Sequence, residues 1–198
     1  MSESEILDSD IYLSDKVIFE TEKKYLIKAN SGQGKTSVLN FIYRNNTNFE
    51  GKIKYENKLE NENIFKLRID KISYVFQDFK LFPSLTVFEN IQLKNKLTDF
   101  KTELEIKDLI NKVGLNHKVN SLVEKLSLGQ KQRVAVVRAL CQPFQFLLLD
   151  EPFSHLDKNN IKILTEIINT EIKKQKSGLI IVSLDNEYFF EYDKIFKL

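Results

Sequence analysis

The segment "ANSGQGKTS" (29–37) follows a short apolar strand, "KYLIK" (24–28), and opens a helix predicted from about Lys35 to Arg44. It fits the phosphate-loop pattern G-x-x-x-x-G-K-[ST], except that Ala29 takes the place of the first glycine. Small residues let backbone N–H groups turn toward phosphate oxygens, and the helix N-terminus adds the positive end of its dipole. The segment therefore predicts a phosphate-binding site, and a chance turn of small residues is the alternative.

Two side chains of this loop have specific roles in such a site. We expect Lys35 to reach the terminal phosphates and the Thr36 hydroxyl to bind Mg²⁺. The residues predicted to bind the nucleotide are Asn30, Ser31, Gly32, Gln33, Gly34, Lys35, Thr36 and Ser37.

A second segment, "FQFLLLDEPF" (144–153), supplies carboxylates where an apolar strand ends. Asp150, at the tip of the strand, suits a Mg²⁺ site, directly or through water. Side chains alternate along an extended chain, so we expect Glu151 to point another way and to orient or deprotonate a water. Taken alone, such an acidic pair could be a solvated loop. The phosphate loop favours the functional interpretation.

Strands and helices alternate along most of the chain, which predicts an α/β fold with a mostly parallel core sheet. A helical stretch, roughly residues 80–140, interrupts this alternation and indicates a separate lobe. The predicted strands are 11–13, 16–21, 24–28, 51–59, 70–77, 144–150, 178–184 and 192–198, and the predicted helices include 102–115, 129–141 and 159–175. Gly114 is expected to end the helix 102–115.

Composition limits the possible functions. The chain has 198 residues and a net charge of +2, which gives no electrostatic case for a nucleic-acid partner. Its single cysteine, Cys141, cannot form an internal disulfide and favours a reducing compartment. No apolar run approaches the roughly 20 residues that a membrane span needs. We therefore expect a cytoplasmic protein that works at a membrane only through a partner.

The segment "KLSLGQKQRVAVVRAL" (125–140) resembles the signature segment of ATP-binding cassette (ABC) ATPases, whose usual core is L-S-G-G-Q. Other motifs resemble the same family in the same order. "YVFQDFKLFPSLTVFEN" (74–90) is similar to its glutamine loop, "SHLD" (154–157) to its D-loop, and "SLD" (183–185) to its switch-histidine loop. The sequence "LFPSLTVFEN" (81–90), after Gln77, resembles that of importer subunits and, more closely, that of the lipoprotein-release, cell-division and macrolide-export ATPases.

The resemblance implies one P-loop NTPase domain of the ABC type over residues 1–198. It has an N-terminal antiparallel β subdomain and an inserted helical lobe at roughly 78–140. It implies ATP and Mg²⁺ as ligands, with Gln77 touching the metal and the attacking water. In this family two domains pair head to tail. By that analogy Ser127, Gly129 and Gln130 contact the partner's nucleotide, although the apolar body of their helix also packs in the core.

Three positions depart from the family pattern. Ala29 replaces the first glycine of the phosphate loop, Leu128 replaces the first signature glycine, and Leu184 replaces the switch histidine. Leucine can neither donate a hydrogen bond nor carry charge, so Leu184 cannot do the work of the histidine. In the family an aromatic residue upstream of the phosphate loop stacks on adenine, and its identity in this chain is open. Tyr12 is the N-terminal candidate, with a core position as its alternative.

These observations leave three functional hypotheses. The favoured one is the ATP-hydrolysing subunit of a transporter, at the cytoplasmic face of the membrane, working with a separately encoded transmembrane permease and a second nucleotide-binding domain. In it Glu151, Lys35 and Gln77 carry the catalysis. The second is a degenerate ATP-binding regulatory subunit with weak or no hydrolysis. The third is a soluble ABC protein that acts on nucleic acid or ribosomes, which the near-neutral charge disfavours.

Overall fold

A parallel β-sheet with helices on both faces forms the centre of the protein. The computed structural model describes residues 9–30, 34–55, 58–59, 63–184 and 187–198, with the backbone alone for 58–59. In that part of the chain the sheet has five strands in the order β4-β5-β6-β1-β7, and every neighbouring pair is parallel. The strands are β1 (Lys24–Lys28), β4 (Ile72–Val75), β5 (Phe146–Asp150), β6 (Gly178–Ser183) and β7 (Lys194–Lys197). The predicted α/β fold with a mostly parallel sheet is confirmed.

The helices follow the predicted ones closely. They are α1 (Lys35–Ile42), the short α2 (Ile64–Lys66), α3 (Val87–Asn95), α4 (Glu103–Lys112), α5 (Leu128–Leu140) and α6 (Lys158–Gln175). Gly114, at a φ of 69°, follows α4 in the left-handed conformation that glycine adopts readily, as expected for its end. None of the described helices is long and apolar enough to cross a bilayer.

Alternating side chains of the sheet form two apolar layers. Leu147 and Leu149 of β5 pack with α3, α4, α5 and α6 on one face. Leu148 packs with Val38 and Leu39 of α1 on the other face. Strands buried on both faces explain why β5 and β6 are continuous apolar runs in the sequence.

The segment 11–13, predicted as a strand, forms a turn instead. The Ser9 hydroxyl accepts hydrogen bonds from the backbone N–H groups of Ile11 (3.2 Å) and Tyr12 (3.0 Å), and these bonds hold the chain in the turn. The strand prediction for 11–13 was therefore wrong.

The segment 16–21 is also not a strand. Val17 and Phe19 pack on the sheet face instead of pairing at an edge, while Ile18 is exposed. The Phe19 ring, for example, lies edge-on to Tyr25 at a centroid distance of 5.0 Å. An apolar alternation predicts that one side of a segment is buried, but not that the segment joins a ladder.

The antiparallel part of the N-terminal region is a small hairpin. The strand predicted over 51–59 is two short strands, β2 (Lys54–Tyr55) and β3 (Lys58–Leu59), which pair antiparallel. Because residue 54 pairs with residue 59, the chain reverses within the segment that was predicted to be one strand.

Candidate functional site

The phosphate loop lies between β1 and α1, at the edge where the parallel strands end. Ser31, Gly32 and Gln33 lie outside the described residues. Gly34 has a φ of 80°, which is open to glycine at little cost, and it precedes α1 without a side-chain cap on the helix. The first backbone N–H groups of α1 therefore have no cap from Gly34 and can bind an anion.

Ala29 is compatible with the loop despite the missing glycine. It is buried, its N–H donates to the Ser183 carbonyl (3.3 Å), and it is not among the residues with positive φ. An extra methyl group costs little where φ is negative. The replacement at position 29 is therefore no obstacle to a phosphate site.

Lys35 and Glu151 form an ion pair at this edge. Lys35 Nζ lies 3.0 Å from Glu151 Oε1, and the two side chains are 12% and 10% exposed. An ammonium group has three N–H donors, so Lys35 can hold Glu151 and still donate to phosphate oxygens. The structure thus brings the predicted phosphate lysine and the predicted catalytic carboxylate into contact.

Asp150 forms a second polar group beside this pair. Its Oδ2 accepts from the Tyr74 hydroxyl (3.3 Å), and the Thr36 hydroxyl also bonds its side chain. Burial is the main cause of a raised pKa at Asp150, opposed by the hydrogen bonds from Thr36 and Tyr74. The pKa of Tyr74 is raised as well, chiefly by burial and then by Asp150.

The surroundings of Asp150 fit a divalent cation. Among the described residues, its buried Oδ1 has no hydrogen-bond partner. A buried oxygen of this kind costs free energy unless a proton or a cation satisfies it. Hard oxygen ligands are those that Mg²⁺ prefers, and Thr36 and Asp150 supply two within one hydrogen bond of each other.

Glu151 reaches Lys35 through a backbone turn, not through extended-chain alternation. Its φ is 47°, in the left-handed region, where a residue with a Cβ pays roughly 1–2 kcal/mol. Its N–H still donates to the Val182 carbonyl (3.0 Å) of β6. The expectation that alternation separates the two carboxylates was wrong in its cause, because the chain leaves the strand conformation at Glu151.

Gln77 lies two residues beyond β4, at the same edge of the sheet. Val75 pairs with Leu149, so the chain after β4 runs beside the end of β5. The Gln77 side chain is exposed. The next turn, in which Phe79 and Lys80 have left-handed φ values, is held by Arg138, which donates to both of their carbonyls (2.6 and 2.7 Å).

The predicted signature residues lie at the start of α5, and two of them line a separate pocket. Ser127 and Gln130 form a reciprocal cap, in which the Ser127 N–H donates to Gln130 Oε1 (3.0 Å) and the Gln130 N–H donates to Ser127 Oγ (3.3 Å). Ser127 and Gly129 line this pocket together with His155 and Asp157. Lys35, Thr36 and Asp150 are not among its lining residues in the described part of the chain.

Two of the departures from the family pattern are surface leucines. Leu184 is 44% exposed directly after β6, and Leu128 is 53% exposed in the first turn of α5. Since Asp150 pairs with Val182, Leu184 lies at the carboxylate edge of the sheet. Neither leucine fills the core.

Tyr12 lies beside the phosphate loop. Its half-buried ring packs against the sheet face that carries α1, and its hydroxyl is 3.5 Å from the Gly34 carbonyl. The turn at 9–13 thus brings the candidate base-stacking aromatic close to the loop.

The sequence analysis missed two side chains that support the site. Tyr74 bonds Asp150 from the neighbouring strand, and Gln132 of α5 bonds the Glu151 carbonyl (3.2 Å). Gln132 left a signal, because it shares a helix face with Ala135, Val136 and Ala139, all buried. A polar residue on an apolar helix face needs a partner.

Comparisons with known proteins identify the family of the chain. A family model described as ABC transporter matches residues 16–154. The ATP-binding protein HrtA of Staphylococcus epidermidis is 32% identical over 179 residues, covering 87% of this chain and 81% of that protein. The lipoprotein-releasing system ATP-binding protein LolD of Buchnera aphidicola is 33% identical over 167 residues, covering 80% of this chain and 72% of LolD.

A solved structure agrees with the same family. The ATP-binding cassette MJ0796, as a dimer in a post-hydrolysis state bound to ADP and Pi, is 27% identical with a TM-score of 0.75. The match covers 85% of this chain and 78% of that one. The family model spans well over half of the chain, and the chain belongs to the ABC transporter family.

Proposed function

We propose that this chain is the ATP-binding and ATP-hydrolysing subunit of a membrane ABC transporter. The observation that carries the proposal is the meeting of Lys35, Thr36, Asp150 and Glu151 at one edge of the sheet. Relatives named as ATP-binding proteins, and a cassette bound to ADP and Pi, support ATP as the nucleotide.

Each residue has a role that follows from its surroundings. Lys35 and the first N–H groups of α1 hold the phosphates, with Asn30, Ser31, Gly32, Gln33, Gly34, Thr36 and Ser37 completing the loop. Thr36, Asp150 and Gln77 hold Mg²⁺, which when bound neutralises charge on the phosphate oxygens. Glu151, fixed by Lys35, orients and deprotonates the attacking water.

The site is completed by a second nucleotide-binding domain. The pocket at the start of α5 lies apart from Lys35 and Asp150, so Ser127, Gly129 and Gln130 act on the nucleotide of a partner, head to tail. The dimeric state of the similar cassette MJ0796 supports pairing with a second domain.

In the proposed transporter, a separately encoded permease carries the substrate across the membrane and this chain supplies the ATP hydrolysis. We place the chain at the cytoplasmic face of the membrane as one domain, residues 1–198. Its helical lobe, roughly 78–140 with α3, α4 and α5, contacts a transmembrane partner. The similarity to LolD, the ATP-binding protein of a lipoprotein-releasing system, supports work with such a partner.

The test is Mg²⁺-dependent ATP hydrolysis by the purified chain, compared with Glu151→Gln. Loss of a general base costs roughly 10²- to 10⁴-fold in turnover, and we expect a loss in that range with ATP binding retained. Glu166→Gln, at an exposed position of α6, is the control and should keep its rate. A chain that does not bind ATP, or whose turnover is indifferent to Glu151→Gln, would refute the proposal.

Leu184 favours a second candidate, an ATP-binding regulatory subunit that hydrolyses slowly or not at all. Its exposed side chain at the carboxylate edge offers no hydrogen-bond donor. ATP binding without turnover, both alone and with the membrane partner, would select this candidate. Turnover that depends on Glu151 would exclude it.

A further inference from the structure

Gln132 is a buried side chain of α5 whose polar atoms all bond one loop. Its Nε2 donates to the Glu151 carbonyl (3.2 Å) and to Ser154 Oγ (3.4 Å), and its Oε1 accepts from the His155 N–H (3.1 Å). The residue is 0% exposed. The Gln132 amide thus connects α5 to the loop 151–155, which begins with Glu151.

The bond to Glu151 falls on a residue in a costly conformation. At a φ of 47°, Glu151 lies where most residues with a Cβ do not stay unless neighbouring bonds hold them. The backbone of Glu151 is held on both sides. Its N–H donates to the Val182 carbonyl (3.0 Å), and its carbonyl accepts from Gln132.

The direction of the Glu151 carboxylate follows from this backbone. The side chain leaves the turn toward Lys35, whose Nζ lies 3.0 Å from Oε1. A small rotation of the backbone would move a carboxylate three bonds away by a larger distance. Reaction rates fall steeply when a catalytic group shifts by about 1 Å.

The same loop touches the start of α5. A Cβ on Gly129 would lie 2.7 Å from the His155 carbonyl, so the helix and the loop approach as closely as glycine allows. The first turn of α5 therefore contacts the loop directly at Gly129, and Gln132 bonds it one turn later.

We propose that Gln132 is a positioning residue that holds the left-handed turn at Glu151 and thereby aims its carboxylate, linking the start of α5 to the site. The catalytic part of this inference rests on the function proposed for Glu151. The structural part, which is the hold on the loop 151–155, does not.

The first test is Gln132→Met, which keeps the length of the side chain and removes its hydrogen bonds. We expect turnover to fall about 10-fold or more, with the dissociation constant for ATP changed less than about 2-fold. In a Glu151→Gln background the same substitution should cost little further, because the group it aims is gone.

Gln142→Met is the matched control. Gln142 is also buried, lies just beyond the other end of α5, and donates to the carbonyls of Arg68 (3.2 Å) and Ile72 (3.3 Å). Gln142→Met therefore removes the same kind of hydrogen bonds at a place away from the site. A fall in turnover equal to that of Gln132→Met would overturn the proposal and indicate a loss of stability only.

A second variant and a second measurement keep the proposal testable if Gln132→Met folds poorly. Gln132→Asn keeps a polar amide in the helix but is shorter by one methylene group, so its donor is drawn back from the Glu151 carbonyl. Full turnover in this variant would show that the donor is not needed and would overturn the proposal. A fall like that expected for Gln132→Met would support it.

Hydrogen exchange of the loop 151–155 tests the structural part without any hydrolysis. We expect exchange in Gln132→Met or Gln132→Asn to be about 10-fold faster there, and unchanged in Gln142→Met. Unchanged exchange in the Gln132 variants would overturn the hold itself. If the wild-type chain does not hydrolyse ATP but the Gln132 variants still exchange faster than wild type, the hold stands and only the function proposed for Glu151 is refuted.

Discussion

Two nearly buried lysine–glutamate pairs in the described part of the chain have similar lengths and different surroundings. Lys35–Glu151 measures 3.0 Å at the edge of the sheet, and Lys101–Glu171 measures 2.9 Å between the α3–α4 loop and α6. Their side chains are exposed by 12% and 10% in the first pair and by 2% and 10% in the second. Distance and burial alone therefore do not separate the pair that we propose to be catalytic from a structural one.

The neighbours of each pair make the difference. Glu151 has a strained backbone and follows Asp150, whose Oδ1 has no partner among the described residues. The Asn95 side chain holds the backbone of Lys101, since it accepts from the Lys101 N–H and donates to the Lys101 carbonyl, both at 2.8 Å. Backbone strain and unsatisfied oxygens are tolerated where they serve a ligand. The Lys101 pair has its bonding partners within the protein.

The chemistry near Lys101 supports the same contrast. Cys141 lies within electrostatic range of both Lys101 and Glu171, and burial raises the pKa of its thiol to about 12. A thiol with that pKa stays protonated at neutral pH and behaves as a small apolar residue. The region around Lys101 is buried core.

The largest expected effect is on the first pair. Lys35→Met removes the donor to the phosphates, and we expect turnover to fall at least about 100- to 1,000-fold, with weaker ATP binding. Steady-state hydrolysis and a nucleotide-binding titration measure both. Lys28→Met breaks another lysine–glutamate pair, Lys28–Glu187 (2.6 Å), and should leave turnover within about 2-fold. Equal losses in the two variants would remove the distinction between the pairs at this edge.

The second effect is on stability and not on turnover. Lys101→Met leaves Glu171 buried without its cation, which costs about 3–5 kcal/mol in the free energy of unfolding. Denaturant unfolding measures the loss, while turnover per folded molecule should stay near the wild-type value.

The double variant Lys101→Met with Glu171→Leu is the control for that loss. Replacing both charges by apolar side chains of similar size removes the unpaired carboxylate, so most of the lost stability should return. A turnover defect in the folded single variant would contradict a purely structural role for the Lys101 pair.

The sequence predicted the frame of the fold because strand and helix periods are local. The helices α1, α4, α5 and α6 begin and end within a few residues of their predicted bounds, since caps such as Gly114 are local signals. The strand predicted at 24–28 is present as β1, whereas those predicted at 11–13 and 16–21 are not strands, because an apolar pattern records burial and not pairing. Phe19 packs on the sheet face without joining it.

The site was predictable where one motif carries several residues, and less so where distant segments meet. Lys35, Thr36, Asp150 and Glu151 come from two motifs, and parallel strands bring these motifs to the same edge. The turn at Glu151 was missed because side-chain alternation holds only in extended chain. Tyr74 was missed because its partner, Asp150, lies on the neighbouring strand and depends on the register Val75 to Leu149.

The smallest expected effect concerns Leu184, beside the first pair. Leu184→His adds a donor that can carry charge at the carboxylate edge, and we expect turnover to rise at least about 3-fold. The rise should stay below the roughly 10²- to 10⁴-fold of a full acid or base, because Glu151 is already in place. Hydrolysis by the two proteins under one set of conditions measures it. The exposed position makes a large change in stability unexpected.

Leu184→Ala separates a gain of chemistry from a loss of apolar surface. It removes the exposed side chain without adding a donor, so its turnover should stay at the wild-type level. A rise in both variants would mean that Leu184 hinders the site sterically. Equal rates for all three proteins would mean that Lys35 and Glu151 organise the attacking water without help from position 184, and the contrast between the two ion pairs would then rest on their nearest neighbours alone.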